Sequence, residues 1–168
     1  MKPRIVTIIT LVIFTTIIAM HLKQKIYDHY LKLIHDKVAM LQQVLADLKE
    51  SGSNETKSTA GDKHETALAM LQIEQANTRG QLQKVLSQKT ALEKIDPTIS
   101  ATMIVNGSLV KTNRSYLFIS IAAGKITIDG IHVISLSPQS PLGQKLMGLK
   151  VGDSDEINNT EYLIESIV

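Results

Sequence analysis

Two stretches of the chain repeat apolar residues at alternating spacings of three and four, and that repeat constrains the fold more than any other feature. The first runs Tyr27, Tyr30, Ile34, Lys37, Leu41, Val44, Leu48, with one polar break at Lys37. The second runs Leu68, Leu71, Gln75, Thr78, Leu82, Val85, Lys89, Leu92, with polar breaks at Gln75, Thr78 and Lys89. Such spacing lays a narrow apolar stripe along one face of a helix, and the stripe must be covered by another helix. Between the two lies SGSNETKSTAGDKHET, residues 51–66, rich in Ser, Thr and Gly and without a large apolar residue. That composition reads as a turn, and a short connection makes neighbouring helices antiparallel. The pattern predicts an antiparallel coiled-coil hairpin over residues 23–96 with a polar tip at 51–66. Asp96-Pro97 closes it, because proline disfavours the helical conformation in the residue before it. A dimerising coiled coil or half of a helical bundle carries the same periodicity.

Ahead of the hairpin, residues 5–20 read IVTIITLVIFTTIIAM, with no charge between Arg4 and Lys23. This run, within an apolar segment 1–22, is slightly short for a spanning helix, which wants about 20 apolar residues, and carries four Thr. Three readings are open. It is a membrane anchor, an untranslated extension ahead of a true start at Met20, or a cleaved signal, the last without a convincing A-x-A site. Basic residues lie on both sides, so they do not set an orientation.

Beyond residue 99 the helical period stops. LVKT (109–112), YLFISIA (116–122), KITID (125–129) and HVISLS (132–137) read as strands separated by Asn, Gly and Ser. SPLGQKLMGLKVGD (140–153) predicts a short helix after Pro141 that ends at Gly148. A final hairpin follows, turning at Asn158-Asn159. The fold class expected is therefore α+β: an apolar segment, a helical hairpin, and a small β-rich domain over 99–168. Composition removes several chemistries. The absence of Cys excludes disulfides, thiolate metal sites and Cys nucleophiles. The five His are scattered with no HExxH spacing. The 18 basic and 16 acidic residues nearly balance, which argues against bulk coating of nucleic acid.

The segment 134–153 resembles the C-terminal domain of the GreA/GreB family of bacterial transcript-cleavage factors. The matching residues are Ile134-Ser135, Ser140-Pro141-Leu142-Gly143, Leu146, Gly148 and Gly152-Asp153. The order of parts, a helical hairpin and then a small domain, is also similar. The resemblance implies that 99–168 is FKBP-like and that the hairpin is a finger entering the secondary channel of RNA polymerase. The family's tip carries a G-D-x-x-E-N-A stretch, and this chain has Gly61-Asp62-Lys63-His64-Glu65-Thr66-Ala67. By the same resemblance Asp62 and Glu65 lend carboxylates to a Mg²⁺ shared with the polymerase active site. That metal activates a water to cut backtracked RNA near its 3′ end. The protein would then be an accessory factor, not an enzyme by itself, with no cofactor of its own, and cytoplasmic, tethered to the inner membrane only if residues 1–20 are retained. The chain departs from the family at Thr66, and at Leu68 and Ala69, where an acid and an aromatic are usual.

Each candidate residue also has a plainer reading. Asp62 followed three residues later by Glu65 is close to a capping box, which satisfies orphan amides at a helix start. Lys57 and Lys63 could meet RNA phosphates or polymerase, or simply be solvated. Ser140, Pro141, Leu142 and Gly143 could form a partner-binding surface or serve the fold. The rival from another class is a membrane-anchored coiled coil that presents a β domain to a different partner.

Overall fold

The computed structural model describes the backbone of residues 3–55 and 62–168, and side chains from Thr16 to Ser53 and from Glu65 onward. Helix α1 (Pro3–Glu55) and helix α2 (Asp62–Glu93) are followed by strands β1 (Leu109–Thr112), β2 (Tyr116–Ile119), β3 (Gly124–Ile128) and β4 (Ile131–Leu136), then helix α3 (Pro141–Leu146), and strands β5 (Ser154–Ile157) and β6 (Thr160–Ile167). The class is α+β, a long helical region followed by a six-stranded mixed sheet in the order β3-β4-β2-β1-β6-β5. The chain divides into two compact units: one is Leu31–Thr90, and the other joins the start of α1, up to Tyr30, to Ala91–Val168.

In the unit Leu31–Thr90 the stripe on α2 is as spaced in the sequence. Thr78 and Val85 are buried, and Leu68, Leu71, Gln75, Leu82 and Lys89 are half-buried. On α1, Ile34 and Leu41 are buried and Val44 and Leu48 half-buried. Lys37 is exposed and Val38 is buried instead. An ammonium stays in water when an apolar neighbour one residue on can take the inward place. Gln75 Nε2 donates to the Leu48 carbonyl at 3.1 Å, so a polar stripe position still finds a partner. The turn expected from residue 51 begins later, because Ser51, Gly52 and Ser53 remain helical. Ser51 Oγ donates to Asp47 O at 2.9 Å and Ser53 Oγ to Glu50 O at 2.7 Å. Bonding back into the preceding turn reconciles these hydroxyls with a helix they would otherwise disfavour. Residues 56–61, which include Lys57, lie outside the described residues.

The second unit is built on the sheet. β2 and β4 pair in parallel, with Tyr116 opposite Val133 and Phe118 opposite Ser135. All other pairs are antiparallel. Side chains alternate between faces along each strand. One face contributes Val110, Leu117, Ile119 and Ile164 to a core closed by Ile104 and by Leu146 of α3. From the alternate positions, Phe118 stacks on Tyr30 of α1, ring centroids 6.2 Å apart and planes at 9°. Leu22 and Ile26 are buried with it, while Ile17 and Ile18 are exposed. Lys23 is only 1% exposed, and its ammonium donates to Ile99 O at 2.6 Å. Burial lowers its pKa, against the pull of Asp96. Tyr30 Oη donates to Gly124 O at 2.8 Å, and burial pushes the phenol up to about 12.

Two turns have the backbone their sequence demands. Asn158 and Asn159 have φ of 49° and 58°, which places both in the left-handed region of a tight hairpin between β5 and β6. Asp129-Gly130, at φ 51° and 79°, makes the same kind of turn between β3 and β4. Among the described residues no helix is long and apolar enough to cross a membrane. Most of the apolar run read as an anchor has side chains outside the described residues.

Candidate functional site

Helix α2 begins at Asp62, and Glu65 follows within its first turn. Residues three apart on a helix share a face. Glu65 is exposed. The side chains of Asp62 and Lys63 lie outside the described residues. Carboxylate is the right donor type for Mg²⁺, which takes oxygen ligands and keeps several waters. Among the described residues no three His, Asp or Glu side chains gather to hold a metal.

The four residues Ser140 to Gly143 sit where β4 gives way to α3, and most of their chemistry is spent on that junction. Ser140 caps the helix: its Oγ accepts from Gly143 N at 3.0 Å and donates to Ser137 O at 2.7 Å. Pro141 stands in the first turn, where a missing N–H costs nothing. Gly143 is buried, and a Cβ there would lie 2.1 Å from Ser137 O, so only glycine fits. Leu142 is half-buried against the sheet core. Further along the same segment, Gly148 and Gly152 have φ of 84° and 93°. Asp153 Oδ2 accepts from Lys150 N at 2.8 Å and closes the turn into β5. Of Ser140, Pro141, Leu142 and Gly143, Pro141 alone is exposed, and the side chains of Lys57 and Lys63 lie outside the described residues.

A further site had no signal in the sequence. At one end of the sheet a cleft of about 580 Å³ is lined by Lys111, Arg114, Tyr116, Lys125, His132 and Glu165, among others. These residues come from β1, the β1–β2 loop, β2, β3, β4 and β6, and only the strand order brings them together. Lys111 Nζ pairs with Glu165 at 2.8 Å, which raises the lysine's pKa. Arg114 Nε donates to Glu161 O at 3.3 Å.

Compared with known families, curated proteins and solved structures, the chain matches none. Function therefore rests on the residues themselves and on the resemblance of the segment 134–153 and the α2 start.

Proposed function

We propose that the protein is a GreA/GreB-like factor that binds bacterial RNA polymerase through the secondary channel and supplies carboxylates to its Mg²⁺ site. What carries the reading is a combination: Asp62 and Glu65 open a long second helix, and the same chain ends in a domain holding the Ser140-Pro141-Leu142-Gly143 segment. In this reading α1 and α2 form an antiparallel coiled-coil finger, and 99–168 is the FKBP-like domain of that family. At 1.5 Å per residue, a helix of 32 residues reaches roughly 48 Å, a suitable length for a probe entering a channel. Asp62 and Glu65 would bind and orient the cation, and a paired-metal site stabilises both the attacking and the leaving oxygen in phosphodiester cleavage. A cap would itself fix the position of the carboxylates, so the capping and metal-directed readings are compatible.

A second reading keeps the docking and drops the cleavage. Thr66, Leu68 and Ala69 differ from the family's usual tip, and Leu68 is half-buried while Ala69 is exposed. A factor with that tip would occupy the channel and regulate or block.

One gel assay with stalled, backtracked complexes separates these readings. The protein should bind core polymerase at about micromolar concentration, about −8 kcal/mol, and compete with other secondary-channel factors. Asp62→Asn and Glu65→Gln should each reduce cleavage by on the order of tenfold or more and leave binding intact, with partial rescue at high Mg²⁺ by mass action. If the residues only cap α2, the cost is about 1 kcal/mol of stability with cleavage unchanged. Binding without cleavage by the unmutated protein selects the second reading. Absence of binding ends both.

A further inference from the structure

The cleft at the end of the sheet gathers charge that the chain otherwise balances. Lys111, Arg114 and Lys125 are three permanent cations against one carboxylate, Glu165. Their excess of two equals the formal charge of the entire chain, +2, so the rest of the molecule is neutral in sum. His132 adds a titratable imidazole at the same wall, its Nδ1 2.8 Å from Thr127 Oγ1.

Within the cleft, Lys111 is ion-paired with Glu165, while Lys125 and Arg114 make no ion pair among the described residues. Lys25, Lys32 and Lys145 each pair with an aspartate at 2.7–3.0 Å. The Lys125 ammonium finds no partner among the described residues. Arg114 uses Nε on a backbone carbonyl at 3.3 Å, and no contact engages the outer guanidinium nitrogens among the described residues. Its loop is rigidly built. Thr112 Oγ1 accepts from Arg114 N at 3.2 Å and Ser115 N at 3.1 Å, and donates to Ser115 O at 3.0 Å. Asn113 Oδ1 accepts from Leu163 N at 3.2 Å and ties the loop to β6. A cation presented from a fixed loop loses little freedom on binding. Guanidinium offers a planar fork and ammonium a point charge, the pairing suited to phosphate oxygens. Tyr116 and Ile131 give the cleft an apolar wall beside these charges. Its volume falls in the range of small-molecule sites, about 300–1,000 Å³, and not in that of an extended polymer track.

We infer that this cleft, bounded by Lys111, Arg114, Tyr116, Lys125 and His132, binds a small phosphorylated anion of nucleoside-diphosphate size, with phosphates toward Arg114 and Lys125 and the ring toward Tyr116. The inference stands apart from the polymerase reading, and its test uses no polymerase.

The test is isothermal titration of the full chain with ADP, pyrophosphate and adenosine, and fluorescence anisotropy with a labelled single-stranded RNA oligomer. ADP should bind with Kd of about 1 mM or tighter and pyrophosphate more weakly. Adenosine should not bind. Arg114→Ala and Lys125→Ala should each weaken ADP by about tenfold, the value of one charge-assisted contact. Lys125→Glu should abolish binding, and Lys32→Ala, a paired lysine on α1, should change nothing. Both target side chains are exposed, so circular dichroism should be unaltered in every variant. The proposal is overturned by no ADP binding at millimolar concentration, by ADP binding indifferent to Arg114 and Lys125, by adenosine binding as well as ADP, or by RNA binding more tightly than ADP through the same two residues.

Discussion

The unit Leu31–Thr90 and the sheet unit bury their side chains by different means. Among the described residues of the helical unit, the buried apolar side chains are Ile34, Val38, Leu41 and Val85. Its hydroxyls answer to their own helix: Thr78 donates to Glu74 O at 2.8 Å, Ser87 to Gln83 O at 3.0 Å and Thr90 to Leu86 O at 3.1 Å, while Gln75 reaches across to Leu48 O. The sheet unit instead closes Ile104, Val110, Leu117, Ile119, Leu146 and Ile164, each 0–1% exposed, over elements far apart in sequence. A thin stripe with local hydrogen bonds opens at low cost, whereas a core assembled from distant segments opens as a whole. The difference leads to the expectation that the helical unit can be disturbed without unfolding the sheet, and that a lesion in the sheet core is felt throughout it.

The contrast can be broken first in the sheet. Leu117→Ala should cost about 2–5 kcal/mol through lost burial and the cavity left behind. Urea denaturation should show the loss, and amide exchange should accelerate in β1, β2, β4 and β6 together. Exchange faster only in β2 would mean that the sheet lacks a common core. In the helical unit, Leu41→Asp puts an unpaired charge where 4% of the residue is exposed. About 2–3 kcal/mol is expected, with exchange faster across residues 31–90 and the sheet amides unmoved. If sheet amides follow, the two units are one cooperative body.

Smaller effects sharpen the comparison. Ser140→Ala removes the cap on α3 and should cost about 1 kcal/mol, with Ser140→Asn restoring most of it in thermal unfolding. Tyr30→Phe should cost about 1 kcal/mol near neutral pH, the worth of one hydrogen bond. This loss should depend on pH. The Tyr30 phenol has its pKa raised from the ordinary value of 10.0 to about 12, so its stabilising contribution is complete below pH 10 and disappears as pH rises through 12. The wild type should therefore lose stability between pH 10 and 12 more steeply than Tyr30→Phe. Parallel slopes in denaturant titrations would show that Tyr30 is not held as described.

Much of the local architecture could be read directly. LVKT is β1 from end to end, and Asn158-Asn159 turns where two left-handed residues are needed. Helix α2 ends at Glu93, three residues ahead of the Asp96-Pro97 stop, and Asp96 Oδ1 accepts from Thr98 N at 2.9 Å and Thr98 Oγ1 at 2.6 Å in the turn that follows. The candidate residues divide less evenly. Glu65 is exposed in the first turn of α2, the side chain of Asp62 lies outside the described residues, and Ser140 and Gly143 serve the β4–α3 junction. Lys37 illustrates the limit of periodic reading: the choice between it and Val38 depends on how each pays for burial, and spacing does not weigh that.

By itself the sequence determined the helical stripes, the strand segments, the turn chemistry and the small helix after Pro141, because each follows from spacing or from backbone preference over a few residues. Only the tertiary structure decided that β2 and β4 run parallel, that Tyr30 and Lys23 of α1 belong with the sheet, and that Lys111, Arg114, Lys125 and His132 share one cleft. Those outcomes depend on which distant strands pair. Pairing is settled by the total apolar surface the assembled sheet can bury, a quantity that no local window of sequence contains.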